Sequence, residues 1–179
     1  MKIQATAAKT IVMFFKDPWT FVLASLIAMI LTFATLGILA PVLWLGMGEM
    51  FRMTRDGKKA SYDALFIHMD KAIMLAVTGF IMTVCIVIGT ALLVVPGVLI
   101  ATLWMYSSYY MAYKGSGIVD SYKMSTFTVN KNSLMNHVLM AVGLWLIMAL
   151  GCQIVIGIFV AYPLCAGFMS FVFEEVKEN

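Results

Sequence analysis

The chain has 179 residues, of which 63% are apolar and only 12% are charged, and its formal net charge is +3. An average soluble domain is about 45–50% apolar and about 25% charged. A domain of this size has too much surface for its volume to bury so many apolar side chains. The composition therefore excludes an ordinary soluble protein, a disordered chain and a disulfide-linked secreted domain, and it predicts an integral membrane protein.

Three uncharged stretches define the predicted elements in chain order. Residues 18–48 and 72–113 contain no charged side chain, and residues 132–173 contain none apart from His137. A bilayer core of roughly 30 Å needs about 20 helical residues, so each stretch has room for two passes and a tight turn. The turns are predicted near residues 36–37, 92–95 and 151–153.

The first stretch is the shortest and leaves an alternative open. Extended through Glu49 to Phe51, it gives two passes of about 17 residues, near the lower limit for spanning. A single long tilted helix is the competing interpretation. Gly37 and Pro41 argue against it, because glycine loosens the backbone and proline removes a hydrogen-bond donor.

The predicted fold class is all-α, a polytopic transmembrane helical bundle of six passes arranged as three hairpins. Backbone groups in lipid must be hydrogen-bonded within the protein, which leaves helices or closed barrels, and the apolar runs lack the alternation of barrel strands. An amphipathic interfacial helix is expected before each hairpin, on its cytoplasmic side. The apolar stripes of these helices are Ala7, Ile11, Phe14 and Phe15; then Tyr62, Leu65, Phe66 and Met69; then Ile118, Val119 and Tyr122.

The chain is predicted to form one membrane domain over residues 1–179. The recurring pattern divides it into possible units at 1–53, 54–113 and 114–173, followed by an acidic tail at 174–179. Each hairpin has one proline in or just before its second helix, at Pro41, Pro96 and Pro163. True internal repetition is one interpretation; the other is that any hairpin protein shows this alternation without shared ancestry.

The 12 basic residues predict the topology. They lie in the N-terminal segment, the loops between hairpins and the tail, and none lies in a predicted hairpin turn. The positive-inside rule makes those segments, and hence both termini, cytoplasmic. No basic cluster with interleaved aromatic residues indicates nucleic acid, and no cleavable signal peptide is expected.

Two groups of residues are candidate sites. Met47, Met50 and Met53 follow one another at helical spacing and are weak candidates for soft Cu(I) ligands, although flexible apolar filling is the preferred interpretation. Aromatic rings crowd the end of the fourth predicted pass and indicate an aromatic belt at headgroup depth or a lipid or partner surface; they are Trp104, Tyr106, Tyr109, Tyr110 and Tyr113.

The sequence offers no catalytic constellation. No nucleophile can be assembled with a base and an orienting group, and His68 and Asp70, two residues apart, point to different helix faces. No carboxylate or amine lies within a predicted pass, which argues against ion-coupled transport but not against a passive pore. We therefore expect no enzyme, no catalytic residue and no cofactor.

A stretch at residues 70–173 resembles a known group of proteins. The residues that carry the likeness are Val95-Pro96-Gly97-Val98, then Gly117, Ser121, Ser125 and Lys131, and finally Pro163-Leu164. The stretch resembles a broad group of bacterial six-pass integral membrane proteins of unknown function, a module that also supplies the membrane domain of some glycerophosphodiester phosphodiesterases. The resemblance implies the six-pass fold and the bacterial cytoplasmic (inner) membrane. It does not imply catalysis, because the matching stretch contains only the membrane module.

The expected function is that of a non-enzymatic membrane protein, acting as a structural or accessory subunit or as a lipid- or partner-interacting module. Its expected partners are membrane lipids and another membrane protein or a second copy of itself, without nucleic acid. The alternative is a small channel or facilitator with a path between hairpins. A copper-handling membrane protein, based on the three methionines, is the third hypothesis.

Overall fold

A computed structural model describes residues 3–153 and 157–178 of the protein. That part of the chain is helical and contains no strand, which confirms the all-α class. Two short 3-10 helices, Tyr62–Phe66 and Met69–Lys71, lie between α3 and α4. The α-helices are α1 (Ile3–Lys16), α2 (Pro18–Ala34), α3 (Ala40–Arg55), α4 (Ala72–Leu92), α5 (Val94–Leu103), α6 (Ser107–Lys114), α7 (Ile118–Lys131), α8 (Leu134–Gln153) and α9 (Gly157–Glu178).

Three segments in the described ranges are long and apolar enough to cross a membrane: Tyr62–Leu92, Leu134–Gln153 and Gly157–Lys177. The helices α1 and α2 meet at 96° and would add a fourth span if they act as one bent segment. The helices at the other predicted passes are shorter than the roughly 20 residues that a span needs, since α2 has 17 residues, α3 has 16 and α5 has 10. By length and composition, the helices fit a membrane protein.

The three predicted turns are built differently. Leu36 and Gly37 have φ angles of 50° and 85° in the connection between α2 and α3, at the predicted position. Only Leu93, in extended backbone, separates α4 from α5. The third prediction needs correction, because α8 continues through Gln153 and residues 151–153 are helical. The connection that follows, at residues 154–156, lies outside the described residues.

The second predicted interfacial helix is also wrong, because the segment forms the two 3-10 helices instead. Leu65 is fully buried, whereas Tyr62, Phe66 and Met69 are exposed. A 3-10 helix has three residues per turn, so the spacing that defined the predicted stripe does not place these side chains on one face. Gly46 of α3 permits the close approach, since a Cβ there would lie 2.4 Å from the Cα of Leu65.

The last helix, α9, lies at the centre of the molecule and packs against α1, α2, α3 and α8. Small residues bring α3 close to it, since a Cβ on Gly48 would lie 2.8 Å from Cβ of Ser170. A Cβ on Gly167 would likewise lie 2.6 Å from the Phe51 ring. Such small residues allow helices to approach closely in a membrane. Residues 174–178 continue this helix, so the predicted acidic tail is helical over that range.

The fourth predicted pass is broken into α5 and α6. Residues 104–106 interrupt the helix, and Ser125 of α7 fills the gap in the backbone hydrogen bonding. The Ser125 hydroxyl donates to the carbonyl of Leu103 at 2.7 Å and accepts from the amide of Tyr106 at 3.1 Å. Unpaired backbone groups in an apolar bundle are costly, so this one side chain stabilises the break.

Candidate functional site

A cluster of charged and polar side chains joins α3, α6, α9 and the 3-10 segment. We call it the ionic cluster; it consists of Glu49, Arg52, Arg55, His68, Tyr113 and Glu174. The Arg52 Nη1 atom lies 2.8 Å from Glu49 Oε1, three residues earlier on the same helix. Its Nε atom lies 3.0 Å from Glu174 Oε1 on α9. The guanidinium thus connects a carboxylate of its own helix with one of the central helix.

Tyr113 closes the ionic cluster from the α6 side. Its hydroxyl donates a hydrogen bond to Glu49 Oε1, and the Arg52 guanidinium lies 4.4 Å from the centre of its ring. A cation over an aromatic face is attracted by the ring quadrupole. His68 meets the same ring edge-on at 5.2 Å, with its Nε2 atom 4.0 Å from Glu49 Oε1.

Arg55 adds a second link between α3 and α9. It forms an ion pair with Glu174, and its Nε atom donates to Asp56 Oδ1 at 2.8 Å. The hydrogen bond from Arg55 holds the pKa of the exposed Asp56 carboxyl below its usual value. Glu174 therefore forms ion pairs with two arginines, which ties the end of α9 to the end of α3.

An open apolar cavity of about 800 Å³ lies beside the α5–α6 break, between α2, α3, α4, α8 and α9. Thr83 is one of its few polar residues, and its hydroxyl is bonded to the carbonyl of Gly79 in its own helix. No described lining residue is Asp, Glu, Lys, Arg or His. The wall is rich in thioethers and aromatic rings, from Met29, Met82, Met105, Met148, Met169, Phe33, Trp44, Tyr109, Trp145 and Tyr162.

Aromatic rings separate this cavity from the ionic cluster. Trp44 and Tyr162, both in the cavity wall, meet edge to face at 5.3 Å. Tyr109, also in the wall, is buried and stacks on Tyr113 with 6.3 Å between ring centres. Since Tyr113 bonds Glu49, an aromatic layer lies between the cavity and the ion pairs of the cluster.

The structure places the predicted aromatic surface largely inside the bundle. Tyr106, Tyr109 and Tyr110 are buried and surround Phe173 of α9 at 5.0–5.8 Å between ring centres. These three rings therefore present little area at the outer surface of the bundle. Their spacing predicted a shared face, but α9 covers that face. Trp104 is only partly buried and packs on Tyr122 of α7.

The three candidate metal ligands lie in or beside an apolar cluster. Met47 and Met50 are fully buried in an apolar cluster with Phe21 and Phe51, while Met53 packs at its edge. In the described ranges, no group of three or more His, Cys, Asp or Glu residues could hold a metal ion.

Sequence reasoning missed the ionic cluster because its members lie far apart in the chain. Glu49 and Arg52 lie three residues apart in the sequence, which is the spacing of a helical ion pair. Nothing in the sequence pairs them with Glu174, which lies in the predicted acidic tail at 174–179. No known protein family, curated protein or solved structure matches this chain.

Proposed function

We propose that the chain is a non-enzymatic, polytopic protein of the bacterial inner membrane that acts as a lipid-interacting accessory module. In this proposal α2, α3, α4, α5 with α6, α8 and α9 make six passes in three hairpins. Both termini are cytoplasmic, because the basic residues gather on their side. The likeness to bacterial six-pass proteins is consistent with this arrangement and stays a prediction.

The observation that carries the proposal is the apolar cavity of about 800 Å³. It has the size of a small-molecule site, commonly about 300–1,000 Å³, and its thioethers and rings suit a flexible hydrocarbon chain. The helices beside it have few buried residues, since only 17% of the α4 window and 11% of the α8 window are buried. A lipid can therefore enter sideways from the bilayer.

The channel alternative receives less support. A facilitator needs a polar path between the two faces of the membrane, whereas this cavity is apolar and ends at Trp44 and Tyr109. Beyond those rings the ion pairs of Arg52 occupy the bundle. The arrangement favours binding of an apolar ligand over passage of a polar solute.

Photo-crosslinking in native membranes tests the proposal. A photoreactive residue replaces Thr83, which lines the cavity, and the crosslinked products are identified by mass spectrometry. We expect a lipid species enriched several-fold over its share of the bulk membrane, because a defined cavity selects its guest.

The matched control places the same photoreactive residue at Val84, at nearly the same depth on α4 but outside the cavity lining. This position should capture lipids in their bulk proportions. Equal bulk profiles at both positions would contradict the proposal. Capture of a membrane segment from another protein at Thr83, in place of lipid, would also overturn it and favour a partner-binding subunit.

A further inference from the structure

A basic pocket of about 410 Å³ opens between α6, α7 and the end of α9. Four lysines from these three helices line it: Lys114, Lys123, Lys131 and Lys177. None of its described lining residues is a carboxylate. Lysines from three separate helices therefore converge on one concave surface, which is a different arrangement from a run of basic residues along the chain.

The floor of this pocket is polar and held in place. The hydroxyls of Tyr110 and Thr128 share a hydrogen bond of 2.5 Å, and both residues are buried. The side-chain amide of Asn132 donates to the carbonyl of Thr128 at 3.0 Å. Lys114 is exposed, and its Nζ atom lies 5.2 Å from the centre of the Tyr110 ring at the edge of the pocket.

An apolar depression of about 600 Å³ adjoins the basic pocket and shares Lys123 and Phe127 with it. Its other side is formed by Trp104 and Tyr122, whose rings lie 4.4 Å apart. Phe127 is 69% exposed and Val119 63% exposed. The outer face of α7 is thus apolar and aromatic where it borders the lysines, as expected of a helix at headgroup depth.

We infer that these two adjoining depressions bind one anionic phospholipid. Its phosphate lies among the lysines and an acyl chain lies along Phe127 and Trp104. Basic pockets beside membrane helices attract anionic headgroups electrostatically, and the apolar depression adds the chain contact that a free phosphate ion lacks. The inference rests on the proposed function, because it requires α7 to lie at the cytoplasmic surface of the membrane.

Native mass spectrometry of the detergent-purified full chain tests this inference. The probes are phosphatidylglycerol and phosphatidylcholine with identical acyl chains. We expect the chain to bind phosphatidylglycerol more tightly. Since each lysine near an anionic headgroup is worth roughly fivefold in affinity, Lys114→Gln/Lys123→Gln should weaken that binding roughly 30-fold. The same double substitution should change the affinity for phosphatidylcholine by no more than about twofold.

The matched control is Lys58→Gln/Lys59→Gln, which removes two charges from exposed positions at a separate basic depression. It should leave phosphatidylglycerol affinity within about twofold, because these lysines lie outside the α7 pocket. Equal losses in both double variants would show general charge attraction and overturn the site. Phe127→Gln should weaken phosphatidylglycerol binding as well; no effect would remove the acyl-chain contact and overturn the lipid assignment.

Inorganic phosphate in large excess separates the two possible sources of the anion. We expect it to leave the bound phosphatidylglycerol in place, because the chain contact persists. Full displacement would mean that the pocket is a phosphate site and would overturn the inference. Crosslinking at Thr83 reports on the cavity alone. If the preference for phosphatidylglycerol is lost while Thr83 still captures a selected lipid, only this inference is refuted. If the preference for phosphatidylglycerol is kept while Thr83 captures lipids only in their bulk proportions, only the proposed function is refuted.

Discussion

At the scale of single residues, Arg52 holds three helices together. It pairs with Glu49 in α3 and Glu174 in α9, and its guanidinium covers the ring of Tyr113 in α6. Its side chain is only 14% exposed, so water and salt screen these pairs less than they screen surface pairs. Removing the arginine would leave two carboxylates without their shared cation, and that loss is costly when the partners are largely buried.

We therefore predict that Arg52→Gln destabilises the protein by roughly 2–3 kcal/mol, a value reduced from the fully buried case because the partners are partly exposed. For a chain of this size that corresponds to a fall in Tm of roughly 5–10 °C. Thermal unfolding of the purified protein in detergent measures it. Lys58→Gln, which removes an exposed charge, is the control, and equal Tm values for the two variants would contradict the prediction.

The residue scale also shows where the sequence was informative. The spacing of Glu49 and Arg52 already indicates a helical ion pair, and the buried Met47 and Met50 follow the preferred apolar interpretation of that stretch. The partnership with Glu174 could not be predicted, because 121 residues lie between it and Arg52 in the sequence. Only folding brings α9 beside α3 and the two side chains into contact. Charge alone assigns Glu174 to a solvated tail.

At the scale of elements, Ser125 determines how α5 and α6 fit together. Its hydroxyl serves both the carbonyl of Leu103 and the amide of Tyr106. Without it, two buried backbone groups at the break would have no partner among the side chains of α7. The neighbouring Ser121 is equally buried, yet its hydroxyl bonds only the carbonyl of Ile118 in its own helix.

Ser125→Ala should lower stability by about 1–3 kcal/mol, the usual cost of leaving a buried polar group unpaired. It should also speed hydrogen exchange at the Tyr106 amide, which loses its acceptor. Ser121→Ala, the matched control, should change neither quantity by a comparable amount. Hydrogen exchange with mass spectrometry on both variants measures the effect, and unchanged exchange at the break in Ser125→Ala would refute it.

The amphipathic elements show the limit of pattern analysis at this scale. The sequence predicts a helix from Ile118 onward, and α7 begins there. Its buried face carries Ser121, Ser125 and Thr128, while Phe127 is exposed. Periodicity locates a helix without stating which of its faces meets the protein. In a membrane protein the surroundings are apolar too, so the polar face can turn inward and bond the bundle.

At the scale of the whole molecule, α9 is the central helix and α4 and α8 lie at the edges. The share of buried residues is 61% in the apolar window of α9, against 17% and 11% in those of α4 and α8. The ionic cluster and the basic pocket both lie near the end of α9. Under the proposed topology, that end faces the cytoplasm and the apolar cavity lies within the bilayer.

The proposed topology predicts which thiols react from each side. Cys152, exposed at the end of α8, should react with a membrane-impermeant thiol reagent added to intact spheroplasts. A Lys58→Cys variant made in the Cys152→Ser background should react only after permeabilisation, because its loop is cytoplasmic in the proposed topology. Loss of the external signal in Cys152→Ser assigns the labelled site. External labelling of the Lys58→Cys/Cys152→Ser variant would contradict the six-pass arrangement.

The sequence by itself determined the class of environment and the helical fold. With 63% apolar and 12% charged residues, the chain has too few polar groups to cover a water-facing surface, and lipid requires hydrogen bonds to be closed within helices. Only the tertiary structure decided which residues meet. It buried Tyr106, Tyr109 and Tyr110 under α9, joined Arg52 to Glu174 and gathered four lysines around one pocket. These contacts depend on how helices pack across the bundle, and local periodicity carries no information about that packing.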